Sequence, residues 1–394
     1  MHEAVVTAIA RTPIGRFGGG LSSLSAMELG GHAIAAALER SGVTGEDVDY
    51  VVMGHVLQAG QGQITSRQAA QLGGIPLDVP AETMNKVCPS GMAAIARAAS
   101  LVMLGEFDVV VAGGMESMSN APYVLDKARF GYRLGDGTLK DSMMFDGLTC
   151  AFDHQAMGEA TEHYQADTHA YTREAQDEWS ARSHERAAAA WKDGAFADEV
   201  VPVEVPQRRG EPVLVDSDEG IRPETTVDSL GNLRPAFTRE GTITAGNASQ
   251  ISDGAAALVV TSRAHAEAND LPVLATVAAW GATAGPLSLL PQPANAIRAA
   301  AAKLDADAAS FDLYELNEAF ASVAMAGTAD LGISEDLVNV NGGAVAMGHP
   351  IGCTGARITV TLINELRRRG GGRGAAALCG GGGQGDALVV DVVG

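Results

Sequence analysis

The chain has 394 residues, of which 46% are hydrophobic and 19% charged, with a net charge of −21; this gives room for a large core and two or three domains and excludes disordered and fibrous classes. The acidic excess argues against a nucleic-acid binder, whose footprint is basic, and no apolar run approaches the ~20 residues of a membrane span. The start, Met1-His2-Glu3-Ala4-Val5-Val6, passes directly into a strand without a signal peptide's basic start and apolar stretch. The expectation is a cytoplasmic enzyme that engages neither membrane nor nucleic acid.

In chain order, Ala4–Ala8 reads as a strand, Ala26–Arg40 as an amphipathic helix and Tyr50–His55 as a second strand. A helix is expected over Pro89–Leu104, with Pro89 at its first position and Gly105 at its end. Val109–Ala112 then reads as a buried strand closed by Gly113-Gly114. Such alternation implies a layered α/β fold. Residues ~119–246 differ: Gly-rich and charged loops precede a long helix from about Arg173 to Asp193, capped by Thr172 and stopped by Gly194. This stretch reads as an insertion. After Gly254 the α/β pattern resumes with a repeat. Val48–Gly54 resembles Phe311–Asn317 at an offset of 263, and Gly91 matches Gly355 at an offset of 264, which suggests a duplicated half.

Four cysteines occur, at 88, 150, 353 and 379, with no CxxC pair and no spacing of a zinc site. In a large chain without an export signal they are expected as free thiols. Cys88, in Asn85-Lys86-Val87-Cys88-Pro89-Ser90-Gly91-Met92, stands just before a helix whose positive end favours and lowers the pKa of a thiolate, although a structural Cys fits this segment equally well. His349, in Gly348-His349-Pro350, lies on a tight loop and is the type of base that activates a thiol. His163 and His169 read as surface residues. Cys379 precedes Gly380-Gly381-Gly382-Gly383-Gln384-Gly385, which contains a GxGxxG match. That fingerprint must open a helix; here the strand Ala387–Val393 follows, so the glycines are expected to offer N–H donors to an oxyanion. Asn317 and Glu318 fall at a strand-to-helix junction, where a site residue and a helix cap are both open readings.

Taken together, Asn85–Met92, Asn317–Phe320, Gly348–Gly355 and Cys379–Gly385 closely resemble the signature segments of the thiolase family. So do Gly113–Ser119, Leu233–Phe237 and Gly241–Ser249, and the resemblance runs in order over essentially the whole chain. It implies a duplicated five-layered α/β/α/β/α thiolase fold with an inserted loop domain. The expected division is 1–118 with 247–270 as the N-terminal half, 119–246 as a loop domain for coenzyme A binding and oligomerisation, and 271–394 as the C-terminal half. The resemblance also implies that Cys88 is acylated, His349 activates it and Cys379 is the acid/base at the α-carbon. Asn317 would hold a water in one oxyanion hole, and the N–H groups of Cys88 and Gly381 would form the other. Arg222 and Ser249 match positions that contact coenzyme A, Leu148, Met157 and Phe320 border the ligand, and Phe237 and Ala245 are counted with them.

The implied reaction condenses two acetyl-CoA or runs the reverse thiolysis, using coenzyme A thioesters as substrates and no metal or other cofactor. A 3-ketoacyl-CoA thiolase of fatty-acid breakdown is the nearest alternative. A decarboxylating ketoacyl synthase would lack the second catalytic cysteine, so Cys379 argues against it. An acidic chain that binds coenzyme A needs a locally basic site, for which Lys127, Arg129, Arg133, Lys140, Arg208, Arg209 and Arg222 are candidates. Many short-chain thiolases carry His just before the position of Met157, where this chain has Ala156, so the acyl pocket is expected to differ there. Arg129–Asp141 resembles the loop by which family members form tetramers, and a homotetramer is expected.

Overall fold

The computed structural model describes residues 2–394; Met1, the first residue of the expected N-terminal half, lies outside them. Nine strands build the main sheet: β1 (Ala4–Arg11), β2 (Tyr50–Gly54), β3 (Ala81–Met84), β4 (Val109–Ser117), β5 (Ser252–Ser262), β6 (Ala275–Ala284), β7 (Leu313–Leu316), β8 (Gly372–Gly380) and β9 (Gln384–Val392). Their order is β7-β8-β9-β6-β1-β5-β4-β2-β3, with the short strand Gly15–Arg16 paired to β5. The β1–β6 seam is thin, pairing only Val5 with Thr276 and Val6 with Ala275. On either side of it the same pattern recurs. Tyr50 pairs in parallel with Val110 as Leu313 pairs in parallel with Gly374, which reproduces the offset read from the sequence. Beyond β2 lies the parallel β3, and beyond β7 a parallel bridge joins Tyr314 to Val338.

Side-chain alternation turns the two half-sheets into layers. Six helices matter here: α1 (Ala26–Ser41), α2 (Ser90–Leu104), α3 (Arg173–Lys192), α4 (Gln292–Ala301), α5 (Ala321–Leu331) and α6 (Ile351–Arg368). Val52, Val110 and Leu258 of the first half face inward, as do Ala376, Leu388 and Val390 of the second, and all pack on α2 and α6. Val51, Val111 and Val259 face the other way, onto α1, while Ala375, Ala387 and Val389 face α4 and α5. The result is helix, sheet, paired helices, sheet, helix. Successive residues of a strand point to opposite faces, and both faces are covered, so these strands read as continuous apolar runs.

The paired central helices come very close. A Cβ on Gly91 would lie 2.9 Å from Ala356 N, and one on Gly355 would lie 2.5 Å from Met92 N. Gly91 and Gly355, matched in the sequence, therefore meet each other's helix backbone. Gly113 and Gly114 do not close β4, which continues to Ser117. A Cβ on Gly113 would meet Ala256 O at 2.1 Å, and one on Gly114 would meet Gly352 O at 2.2 Å, so packing on both faces demands glycine inside the strand. The intervening stretch 119–246 carries two small hairpins, α3, a shorter helix over Met157–Thr168 and irregular loops. It is tied to β1 by the fully buried Arg11, which bonds Glu199 at 2.6 Å and Asp218 at 2.8 Å. No helix among the described residues is long and apolar enough to cross a membrane.

Candidate active site

Cys88 ends a clamped loop. Val87 is held at φ 55°, a left-handed conformation that is strained for a β-branched residue. Asn85 Oδ1 accepts from Val87 N–H at 3.1 Å, and Ser90 Oγ accepts from Lys86 N–H at 2.8 Å while donating to Val87 O at 2.6 Å. The thiol is half-buried beside Leu57, Met118, Leu148 and Ile351. The backbone N–H groups of Cys88 itself and of Gly381 act on the thiol to lower its pKa, and the glycine turn packs on the residues that flank it: a Cβ on Gly380 would lie 2.7 Å from Pro89 Cδ, and one on Gly381 would lie 3.6 Å from Val87 Cγ1.

Gly381 arrives on the turn between β8 and β9. Cys379 pairs with Gly385 across this hairpin, and Gly382 and Gly383 take φ of 77° and 72°. No helix follows, so the dinucleotide fingerprint is absent as expected. Cys379, 1% exposed, packs with Met157, Ala319 and Phe320. Burial holds its thiol well above the ordinary range, with the neighbouring Cys88 acting in the same direction. The ion pair of Lys86 with Asp386 fastens the Cys88 loop to β9 beside this turn.

His349, 6% exposed, precedes α6. Its Nδ1 lies 2.6 Å from Thr354 Oγ1, and its Nε2 lies 3.4 Å from Asn317 Nδ2. Asn317 Oδ1 is buried without a partner. The adjacent Glu318 accepts four bonds: from Trp179 Nε1 (3.0 Å) and Asn339 Nδ2 (2.9 Å) on one oxygen, and from Ser183 Oγ (2.8 Å) and Val345 N (3.0 Å) on the other. Neither Asn317 nor Glu318 caps a helix, because α5 starts after Phe320. Glu318 instead ties the Asn317 loop to α3 and to the segment that leads to His349. A second buried carboxylate, Glu116, accepts from Val56 N, Leu57 N and Gly352 N at 3.2, 3.2 and 2.9 Å.

Two cysteines, an imidazole, a carboxamide and a glycine turn are thus gathered at one place. The model of the thiolase N-terminal domain matches residues 4–264, and that of the thiolase C-terminal domain matches residues 271–392. The chain belongs to the thiolase family. It is 55% identical to a probable acetyl-CoA acetyltransferase of Mycolicibacterium smegmatis, over 98% of this chain and all of that one. It is 48% identical to the acetyl-CoA acetyltransferase of Cupriavidus necator, over 99% of this chain and all of that one. Among solved structures, the Bacillus anthracis acetyl-CoA acetyltransferase superposes with a TM-score of 0.97 at 42% identity, covering 100% of this chain and 99% of that one. This thiolase is accordingly an acyltransferase with the thiolase fold.

A cavity of about 220 Å³ opens at His349, lined by Met118, Leu148, Ala156, Met157, Ser249 and Phe320 among others. Phe237 stands at its wall, edge-on to Phe320 with centroids 5.9 Å apart, and its ring fills the space a side chain would take at Gly158. Of the positions expected at the ligand, Leu148, Met157, Phe237, Ser249 and Phe320 therefore line one cavity. Ala245 and Arg222 do not line it and are exposed; the Arg222 backbone N–H donates to His184 Nδ1 at 3.1 Å. Lys140 of the candidate basic set is paired with Asp126. His163 is exposed as expected, whereas His169 is half-buried against Asp330 at 2.8 Å.

One expectation is overturned. The helix end was expected to depress the Cys88 thiol, yet its pKa is pushed up to about 12. Burial is the main cause; the thiol's own N–H opposes it, the Glu116 carboxylate adds to it, and the Gly381 N–H opposes it. Desolvation outweighs the two backbone N–H groups. Burial likewise drives the His349 pKa down to about 3, with Arg357 contributing. The thiolase rests with a neutral thiol and a neutral imidazole. Sequence reasoning gave no role to Glu116 or Thr354, although both lie inside segments that carry the family resemblance.

Proposed function

We propose that this thiolase is an acetyl-CoA C-acetyltransferase, interconverting two acetyl-CoA with acetoacetyl-CoA and coenzyme A through an acyl-Cys88 intermediate. The observation that carries the reading is the glycine turn Gly380-Gly381 packed on Val87 and Pro89 at either side of Cys88, with Cys379 near enough to act on the same thiol and His349 opening on the adjoining cavity. In thiolysis, Cys88 gives its proton to His349 Nε2 as its sulfur attacks the 3-keto carbon. The resulting oxyanion lies between the N–H groups of Cys88 and Gly381, where preformed donors stabilise developing charge. The bond between C2 and C3 breaks, and C2 takes a proton from Cys379 as acetyl-CoA leaves. While charge builds on the thioester oxygen, Asn317 and a water that it holds stabilise it. Coenzyme A then passes its thiol proton to the Cys379 thiolate and attacks the acetyl group on Cys88. The freed Cys88 sulfur recovers its proton from His349. Condensation is the same path reversed. The high pKa of Cys379 suits this alternation, since a reluctant acid becomes a strong base once it has given its proton.

The names of the relatives favour the short acyl chain. Ala156, on the cavity wall at the start of a helix, leaves more room there than a His would, which bears on how far the chain tolerates an added methyl. Arg222 and Ala245 would reach coenzyme A outside the cavity. The division into 1–118 with 247–270, 119–246 and 271–394 follows the same reading. A homotetramer built through the 129–141 loop accounts for Phe130 and Leu134, 92% and 97% exposed in the single chain. Two working thiols that must stay reduced suit a cytoplasmic enzyme of lipid metabolism. The test is thiolysis of acetoacetyl-CoA by free coenzyme A, compared with a long-chain 3-ketoacyl-CoA. A strong preference for acetoacetyl-CoA is expected. Faster cleavage of the long chain would transfer the enzyme to fatty-acid breakdown, and no cleavage of either would end the reading.

A further inference from the structure

His349 has no carboxylate behind it. Thr354, fully buried in the first turn of α6, stands where a charged orienting group could have been, with its hydroxyl oxygen 2.6 Å from His349 Nδ1. That hydroxyl has one hydrogen, and its bond to Pro350 O at 2.9 Å uses it. The oxygen can therefore only accept from the imidazole, which requires the proton to be on Nδ1. Nε2 is then the unprotonated nitrogen, consistent with the Asn317 amide N–H directed at it from 3.4 Å. The charged group that bears on this ring is Arg357, and the carboxylates nearest to the two meet Arg357 and the helix start and not the imidazole. Arg357 lies on the same helix, its guanidinium 3.5 Å from Glu315 of β7, and Glu116 of β4 holds Gly352 N.

We propose that Thr354 is a positioning residue for the acyl-transfer reaction: its hydroxyl, oriented by Pro350 O, fixes His349 in the Nδ1–H tautomer and leaves the Nε2 lone pair for the Cys88 proton. The acceptor is uncharged, so it selects the tautomer without stabilising an imidazolium as a carboxylate would. This fits a dyad that rests neutral and transfers its proton only when a thioester is attacked. The inference rests on the acetyltransferase reading for its kinetic arm and is independent of it for its chemical arm.

The experiment compares wild type, Thr354→Val, which preserves volume but removes the acceptor, and Thr354→Ser, which preserves the acceptor. The kinetic arm is acetoacetyl-CoA thiolysis. Thr354→Val should lower kcat by on the order of 10- to 100-fold with KM changed less than about threefold, since a positioned base is worth that much, and Thr354→Ser should recover most of it. The chemical arm is alkylation of Cys88 by iodoacetamide, which needs no substrate; it should slow in Thr354→Val and recover in Thr354→Ser, in protein that melts no more than about 4 °C below wild type, the cost of the buried hydrogen bonds lost. A wild type that cleaves no 3-ketoacyl-CoA while Cys88 alkylation still follows the hydroxyl would remove the acetyltransferase reading and keep the positioning role. Thr354→Val matching wild type in both arms, Thr354→Ser failing as badly as Thr354→Val, or a loss confined to KM would overturn it.

Discussion

Glu318→Gln probes the carboxylate that joins the Asn317 and His349 loops. Each Glu318 oxygen accepts two bonds, so an amide NH₂ must face two donors whichever way it turns. On the side of Trp179 and Asn339 both partners are obligate donors. The amide should therefore turn its NH₂ toward Ser183, whose hydroxyl can rotate to accept, and only Val345 N–H is left facing a donor. A hydrogen bond to a charged acceptor contributes ~1.5–3 kcal/mol, and the surviving bonds weaken to the neutral value. The total is about 3 kcal/mol. At the usual unfolding entropy per residue, a chain of this size should lose about 4 °C of thermal midpoint. Both site loops loosen with it, so kcat should fall on the order of 10- to 100-fold. Scanning calorimetry and acetoacetyl-CoA thiolysis measure the two effects. A Gln variant within about 1 °C and twofold of wild type would refute the reasoning and reduce Glu318 to a bystander.

Three further outcomes follow from the packing and charge. Gly114→Ala forces a methyl to within 2.2 Å of Gly352 O, so it should cost about 3 kcal/mol or more through overpacking, read as a lower denaturation midpoint, whereas Gly231→Ala, with open space around it and no positive φ, should lose far less. His349 has a folded pKa depressed to about 3; the unfolded state therefore binds its proton first as pH falls below ~6.5, and stability is lost on acidification. Wild type should accordingly lose about 2 kcal/mol relative to His349→Ala between pH 7 and pH 5, measured by urea unfolding at each pH. Lys86→Met leaves the buried Asp386 without its partner and should cost about 3 kcal/mol, much of which Asp386→Asn in the same chain should restore.

Much of the fold was legible in residue order because its strands are buried on both faces and several of its helices stop at a glycine, as at Gly42, Gly105 and Gly332. The repeat between Tyr50 and Leu313 was visible for the same reason, since both halves satisfy one packing rule. Gly113 and Gly114 misled because a glycine pair reads as a stop, and only the helix backbone on one side and β5 on the other reveal why they sit mid-strand. At the site, Cys88, His349 and Cys379 stood out as reactive types beside glycine or proline, and Asn317 as a polar residue at a strand-to-helix junction. The direction of the Cys88 shift was not legible: a helix end is local in sequence, whereas the apolar residues that desolvate the thiol come from Leu57, Met118, Leu148 and Ile351. The role of Glu318 stayed open between site residue and helix cap, and Thr354 was passed over, because their partners, Trp179 and Asn339 for one and the His349 ring for the other, are contacts of the folded chain.

The most direct test of the account is intact-mass analysis of the chain after incubation with acetyl-CoA, for Cys379→Ala and Cys88→Ala in parallel. The account predicts one acetyl group per chain in Cys379→Ala, located on Cys88, with no carbon–carbon bond formation, and no acetyl group in Cys88→Ala. An acetyl group found on another residue, or thiolysis retained in full by Cys88→Ala, would contradict it.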